Sequence, residues 1–151
     1  MRTLIPLAAL APVLLAGQVH AQLPPGPRPV VGPVEIAVQS GFATAQQGGF
    51  GEAQIAVINH SSSTAVHVVI QAWVRYADGT KHVLQLGPGQ TLPPGLGVVL
   101  IPLFAVPPNA ALGEATIVGR VFVTRVTNTT LGHFPRPHVA QDSDSFLVLP
   151  P

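Results

Sequence analysis

From residue 65 to residue 76 the chain reads AVHVVIQAWVRY, and its side chains sort into two sets when every second one is taken together. Val66, Val68, Ile70, Ala72, Val74 and Tyr76 are all apolar or aromatic, whereas His67, Val69, Gln71, Trp73 and Arg75 are mixed. Successive side chains of a strand point to opposite faces, so this pattern predicts a strand with one face on a core. Wound as a helix, the same letters would spread apolar groups around the whole circumference. Ala77-Asp78-Gly79-Thr80 follows, and Asp-Gly provides the positive φ that a tight hairpin turn needs.

The same reading predicts further strands along the chain. Residues 34–39 place Val34, Ile36 and Val38 on one face. Residues 52–59 turn Ala53, Ile55 and Val57 inward and Glu52 and Gln54 outward. A short returning strand is expected over 81–86, after the Asp-Gly turn. Residues 98–106 form a continuous apolar run with Pro102 in its middle. Proline cannot donate to a ladder, which places this strand at an edge or at a bulge. The second long strand covers 116–127, with Ile117, Gly119, Val121 and Val123 on one side and Val118, Arg120, Phe122 and Thr124 on the other. Residues 128–143 are expected to be a long irregular loop, and 145–149 a last strand approached through Asp142 and Asp144. Phe42 and Phe50, in the glycine-rich 40–51 connection, are expected at the edge of the core. About seven strands at intervals of roughly ten residues, without a helical period, predict a single all-β antiparallel sandwich.

Composition narrows the possibilities. Of 151 residues, 47% are hydrophobic and 9% charged, the latter far below the usual quarter. Seventeen prolines and fifteen glycines suit many short strands joined by turns. The formal net charge is +1, which gives no electrostatic footprint for nucleic acid or for an anionic membrane. The chain contains no cysteine, which excludes disulfides, thiolate metal sites and a cysteine nucleophile.

The first residues carry their own signal. A short basic start (Met1-Arg2-Thr3) precedes an apolar stretch at 4–16, and Val19-His20-Ala21 presents small residues at −3 and −1 of a cleavage site. The apolar stretch, interrupted by Pro6 and Pro12, is shorter than the ~20 residues a membrane span requires. This divides the chain into a signal peptide (1–21), a Pro/Gly-rich linker (22–33) and a sandwich domain (34–151). The expected location is periplasmic or secreted, with no membrane span after cleavage.

Three segments carry a resemblance: AQIAVINHSSS at 53–63, the Pro88-Gly89-Gln90 turn, and DSDSFLV at 142–148. With the strand pattern around them, they resemble the immunoglobulin-like and fibronectin-III-like β-sandwich domains of bacterial exported proteins. The resemblance implies the fold and a tendency towards adhesion, scaffolding, or contact with proteins and carbohydrates. Trp73 departs from the antibody-type pattern, because it falls on the mixed face and has no disulfide to pack against.

Candidate chemistry is sparse. Glu35, Glu52, Asp78, Glu114, Asp142 and Asp144 are the carboxylates, and none forms an evident catalytic pair or triad, so a non-enzyme with no cofactor is expected. Two constellations stand out. If the long strands are neighbours, Trp73, Arg75, Arg120 and Phe122 share an outer face with His67, Val69 and Val118, and Trp and Arg are the types that carry binding energy at interfaces. The second is the loop bearing His133, Phe134, Arg136 and His138. The Asn59-His60-Ser61 and Asn128-Thr129-Thr130 triplets match the glycosylation sequon and are read as chance occurrences. The first expectation is a non-catalytic exported module that binds an envelope protein or carbohydrate and no nucleic acid. The alternative is a periplasmic copper or zinc carrier using His133 and His138, with His60 as a further ligand.

Overall fold

In the computed structural model, residues 28–126 and 138–151 are described. Eleven strands run β1 (Val30–Val31), β2 (Val34–Ser40), β3 (Thr44–Gln46), β4 (Phe50–Asn59), β5 (Val66–Arg75), β6 (Lys81–Leu84), β7 (Gln90–Leu92), β8 (Gly97–Leu100), β9 (Leu103–Ala105), β10 (Gly113–Val126) and β11 (His138–Leu149). One sheet has the order β1-β2-β4-β8, with β9 also on β4; the other has the order β3-β11-β10-β5-β6, with β7 also on β5. The result is an all-β, immunoglobulin-like sandwich.

The alternation read from the sequence decides which residues fill it. Val66, Val68, Val74, Ile117 and Val121 from one sheet meet Val34, Ile36, Ile55 and Val57 from the other, all with 0% exposure. Gly119 lies where the two sheets pack closely, because a Cβ there would stand 2.5 Å from Val38 Cγ2. Pro102 separates β8 from β9 at the sheet margin, and its carbonyl still accepts from Ala53 N–H (3.1 Å). The hairpin after β5 closes as expected. Gly79 has φ 86°, and Thr80 N–H donates to Asp78 Oδ1 at 2.9 Å, which holds that carboxyl below its usual range.

Two expectations are corrected. The last strand begins at His138, not at 145, and pairs with β10 from Val123↔His138 to Gly113↔Val148. Asp142 and Asp144 therefore sit in mid-strand, not on an approach to one. Their side chains reach the opposite sheet, where Val38 N–H donates to Asp142 Oδ2 and Ser40 N–H to Asp144 Oδ2, both at 2.8 Å. Phe42 and Phe50 are exposed by 45% and 69%, so neither belongs to the core edge. In β4 the odd positions face inward, which turns Phe50 to solvent. The short strands β1 and β3 lie in the segments read as a Pro/Gly-rich linker and a glycine-rich connection; β3 runs parallel to β11, with Ala45 beside Val148.

Asn59 ends β4 and is the one fully buried polar residue among those described. Its Nδ2 donates to the carbonyls of Thr64 (2.8 Å), Leu92 (3.1 Å) and Pro93 (3.2 Å), and its Oδ1 accepts from Ser61 N–H at 3.0 Å. One amide thus ties the β4–β5 turn to the β7–β8 turn, and its burial closes it to glycosylation in the folded chain.

Two substitutions test this architecture. Gly119→Ala should lower stability by about 1–3 kcal/mol in denaturant unfolding, because the stiff Val38 side chain has to yield to the new methyl. Asn59→Ala should cost about 2–4 kcal/mol, leaving several turn groups unsatisfied. Asn59→Asp should be no milder at neutral pH, since it sets a carboxylate against three carbonyls.

Candidate functional site

The outer face of the β3-β11-β10-β5-β6 sheet carries the more distinctive chemistry. Strands β5 and β10 pair antiparallel with Thr116↔Arg75, Val118↔Trp73, Arg120↔Gln71 and Phe122↔Val69. Strand β11 extends these rows with Ser145, Ser143, Gln141 and Val139, and β6 with Lys81 beside Arg75 and Val83 beside Trp73. Every residue of these rows projects away from the core, because the intervening positions are the buried ones.

Trp73 is the centre of this lattice. The Arg120 guanidinium carbon stands 5.0 Å from its ring centroid and Lys81 Nζ stands 5.7 Å from it. Both cations reach the ring from diagonal positions on the neighbouring strands, a distance that long side chains span. A cation over an indole face gains roughly 0.5–1 kcal/mol where solvent is present. Arg120 is held further, because its Nε and Nη2 donate to Gln141 Oε1 at 3.1 and 2.7 Å. Beneath this cover Val118 is only 6% exposed, although it belongs to the outer face, whereas Val83 is 65% exposed and Val139 41%. His67 meets Thr91 Oγ1 across the β5–β7 pair at 3.1 Å.

The expected binding residues thus divide. Trp73 and Arg120 are in contact, and Arg75 lies one row away. Phe122 shares the face two rows from Trp73, opposite Val69 and Val139. The three-residue loop at 77–79, closed by Tyr76 N–H on Thr80 O and Gly79 N–H on Tyr76 O (both 2.9 Å), is what returns Lys81 beside Arg75. His133, Phe134 and Arg136 lie outside the described residues. His138 is the first residue of β11, and its side chain is not described. Among the described residues no group of three His, Asp or Glu side chains is gathered to hold a metal. His60 is engaged elsewhere, with its Nε2 2.6 Å from Glu35 Oε2.

The carboxylates have their own partners. Glu35, on the other sheet, also pairs with Arg28 at 3.0 Å. Burial opposes its ionisation, but hydrogen bonds and charge from His60 and Arg28 outweigh that and hold it below the usual 4.5. Glu52 accepts from Gln54 Nε2 at 3.2 Å, and Asp142 and Asp144 accept from backbone. The Tyr76 hydroxyl is buried without a hydrogen-bond partner among the described residues, and burial raises its pKa.

Compared with solved structures, the chain is similar to part of alkylpurine DNA glycosylase AlkC of Pseudomonas fluorescens, solved on DNA containing an abasic site analog. The TM-score is 0.53 at 13% identity, over 78% of this chain and 30% of that one. It is also similar to the sporulation control protein Spo0M of Bacillus subtilis (TM-score 0.48, 13% identity, 78% and 50% covered). A third likeness is to PapD-like domain 7 of human CEP192 (TM-score 0.46, 14% identity, 85% and 94% covered). The chain spans less than a third of AlkC and half of Spo0M, and the likeness at these identities is one of fold. No protein-family model matches the chain, and no curated protein matches it in sequence.

The Glu35 cluster sets one measurable pH dependence. Because the folded carboxyl titrates below its unfolded value of 4.5, its stabilisation is complete above about pH 5 and is lost as the pH falls through the folded value. Stability curves of wild type and Glu35→Gln should therefore be separated at neutral pH and converge in acid. Curves that stay parallel from neutral pH to acid would remove the cluster from the account.

Proposed function

We propose that this chain is a non-catalytic binding module, exported by its leader, which engages a macromolecular partner of the cell envelope through the outer face centred on Trp73. The observation that carries this reading is the lattice of Trp73, Arg120, Lys81 and Val83. An indole is kept half-buried on a sheet face, with two cations over it and an exposed valine at its side. Trp and Arg concentrate binding energy where they meet in a patch that a partner can desolvate. The face is rigid, because the same two strands form the core on their other side, so little ordering entropy is lost on docking. The carboxylates support a non-catalytic role, since Glu35, Glu52, Asp142 and Asp144 are each held by a structural partner.

The test is a pair of substitutions on the outer face. Trp73→Ala/Phe122→Ala should keep the far-UV spectrum and unfold cooperatively, with a loss of about 1–3 kcal/mol from uncovering Val118. Retention of the envelope partner by the immobilised protein should fall at least tenfold, about 1.4 kcal/mol or more of binding. Undiminished retention by a folded double variant would refute the reading.

A further inference from the structure

We infer that the partner of the Trp73 face is an acidic segment of another protein, recognised through Arg75, Lys81 and Arg120. This rests on the reading of that face as a docking surface and adds what docks there. The three cations occupy adjoining positions of the ladder: Arg75 pairs directly with Lys81, while Arg120 and Lys81 flank Trp73 from its two neighbouring strands. Like charges in adjacent cross-strand positions repel, so the grouping is unfavourable for the free chain unless counter-charge stands nearby. Very little does. Glu114 is the one acidic residue in the outer phase of these strands, and it lies at the margin, opposite Leu147. Asp142 and Asp144 belong to β11 but are turned toward β2, and Glu35 and Glu52 belong to the other sheet.

The whole chain is close to neutral, at +1, so these cations are a local segregation and not part of a generally basic surface. A local positive field of this kind selects and steers an anionic partner. Arg120 is already oriented for the purpose. With Nε and Nη2 fixed on Gln141 and its guanidinium carbon 5.0 Å from the Trp73 ring centroid, it can take a carboxylate with little further loss of side-chain freedom.

The remaining features favour a peptide over other polyanions. Trp73 already has two of the protein's own cations within 5.7 Å of its ring centroid, and these compete with stacking on a base or a sugar. Exposed Val83 lies in the Trp73 row between the two charged rows, and exposed Val139 one row beyond Arg120, offering apolar contacts that a mixed acidic and apolar segment would fill.

Trp73 is the only tryptophan in the chain, so its emission reports directly from the centre of the face. The intact protein is titrated with poly-L-glutamate, and separately with polygalacturonate and single-stranded DNA, at roughly 20 mM and roughly 500 mM salt. A saturable change with poly-L-glutamate that disappears at the higher salt is expected. It should be weakened about tenfold or more in Arg120→Gln/Lys81→Gln, which retains the reporter. The other two polymers should bind more weakly. No change with poly-L-glutamate, an unaltered titration in the folded variant, or tighter binding of polygalacturonate or DNA would overturn the inference. The two levels separate in partner retention. If Trp73→Ala/Phe122→Ala loses the partner and Arg120→Gln/Lys81→Gln does not, the acidic segment is refuted and the docking face stands. If the first variant keeps the partner, the face itself is refuted.

Discussion

The strand that leaves one sheet and joins the other is the point on which this sandwich depends. Strand β2 pairs with β4, but on its other side only Val34 and Glu35 have a strand partner, in β1. The N–H groups of Val38 and Ser40 would be stranded at the seam, and an unpaired buried backbone donor costs about as much as a lost hydrogen bond. Asp142 and Asp144 meet them from β11 in the opposite sheet, and immediately afterwards the chain crosses over and pairs with β11 as β3. The carboxylates thus satisfy the free edge of β2, whose other edge stays on β4, just before the backbone crosses to the second sheet. A carboxylate is a strong acceptor for an amide, and two of them on alternate residues match the two-residue repeat of the N–H groups they receive.

Once the seam is closed, the rest of the packing is fixed by small side chains in the right places. Gly119 admits Val38 into the middle of β10, and Asn59 holds the turns at one end of the molecule with a single amide. These features lie on the inner side of the sheet or at its rim. The outer lattice around Trp73 uses the other phase of the same strands, so core and candidate site share a backbone without sharing side chains. That separation allows a substitution such as Trp73→Ala to be read as a change in surface chemistry.

Legibility in the sequence followed the physics of alternation. Strands β5 and β10 could be read because each has an unbroken apolar phase, and once they are neighbours Trp73 and Arg120 must share a face. The first half of β11 could not be read the same way. Its inward phase runs Ala140, Asp142, Asp144, Phe146, Val148, and the two aspartates make sense only beside backbone donors 104 residues earlier. Phe50 departs from expectation for a different reason. Its aromatic character suggested burial, but the phase that turns Ala53, Ile55 and Val57 inward turns residue 50 outward. The approach of Lys81 to Trp73 depends on the hairpin register, which a list of residue types does not contain.

The cations around Trp73 show why a surface can be informative even without a cleft. A tryptophan on a solvent-facing sheet could be covered by neutral side chains at no electrostatic cost, and Val118 and Val83 already flank it. Arg120 and Lys81 over the ring gain about 1 kcal/mol each at best in water. Against this stands their proximity to each other and to Arg75, which a neutral chain with six acidic residues could have relieved. Among the described residues those acids are placed at the seam, in the hairpin turn, on the far sheet and at one margin, leaving the centre of the face uncompensated. Cation–π cover alone does not account for that distribution. The acidic partner we propose would account for it, because it would convert mutual repulsion in the free chain into attraction in the complex.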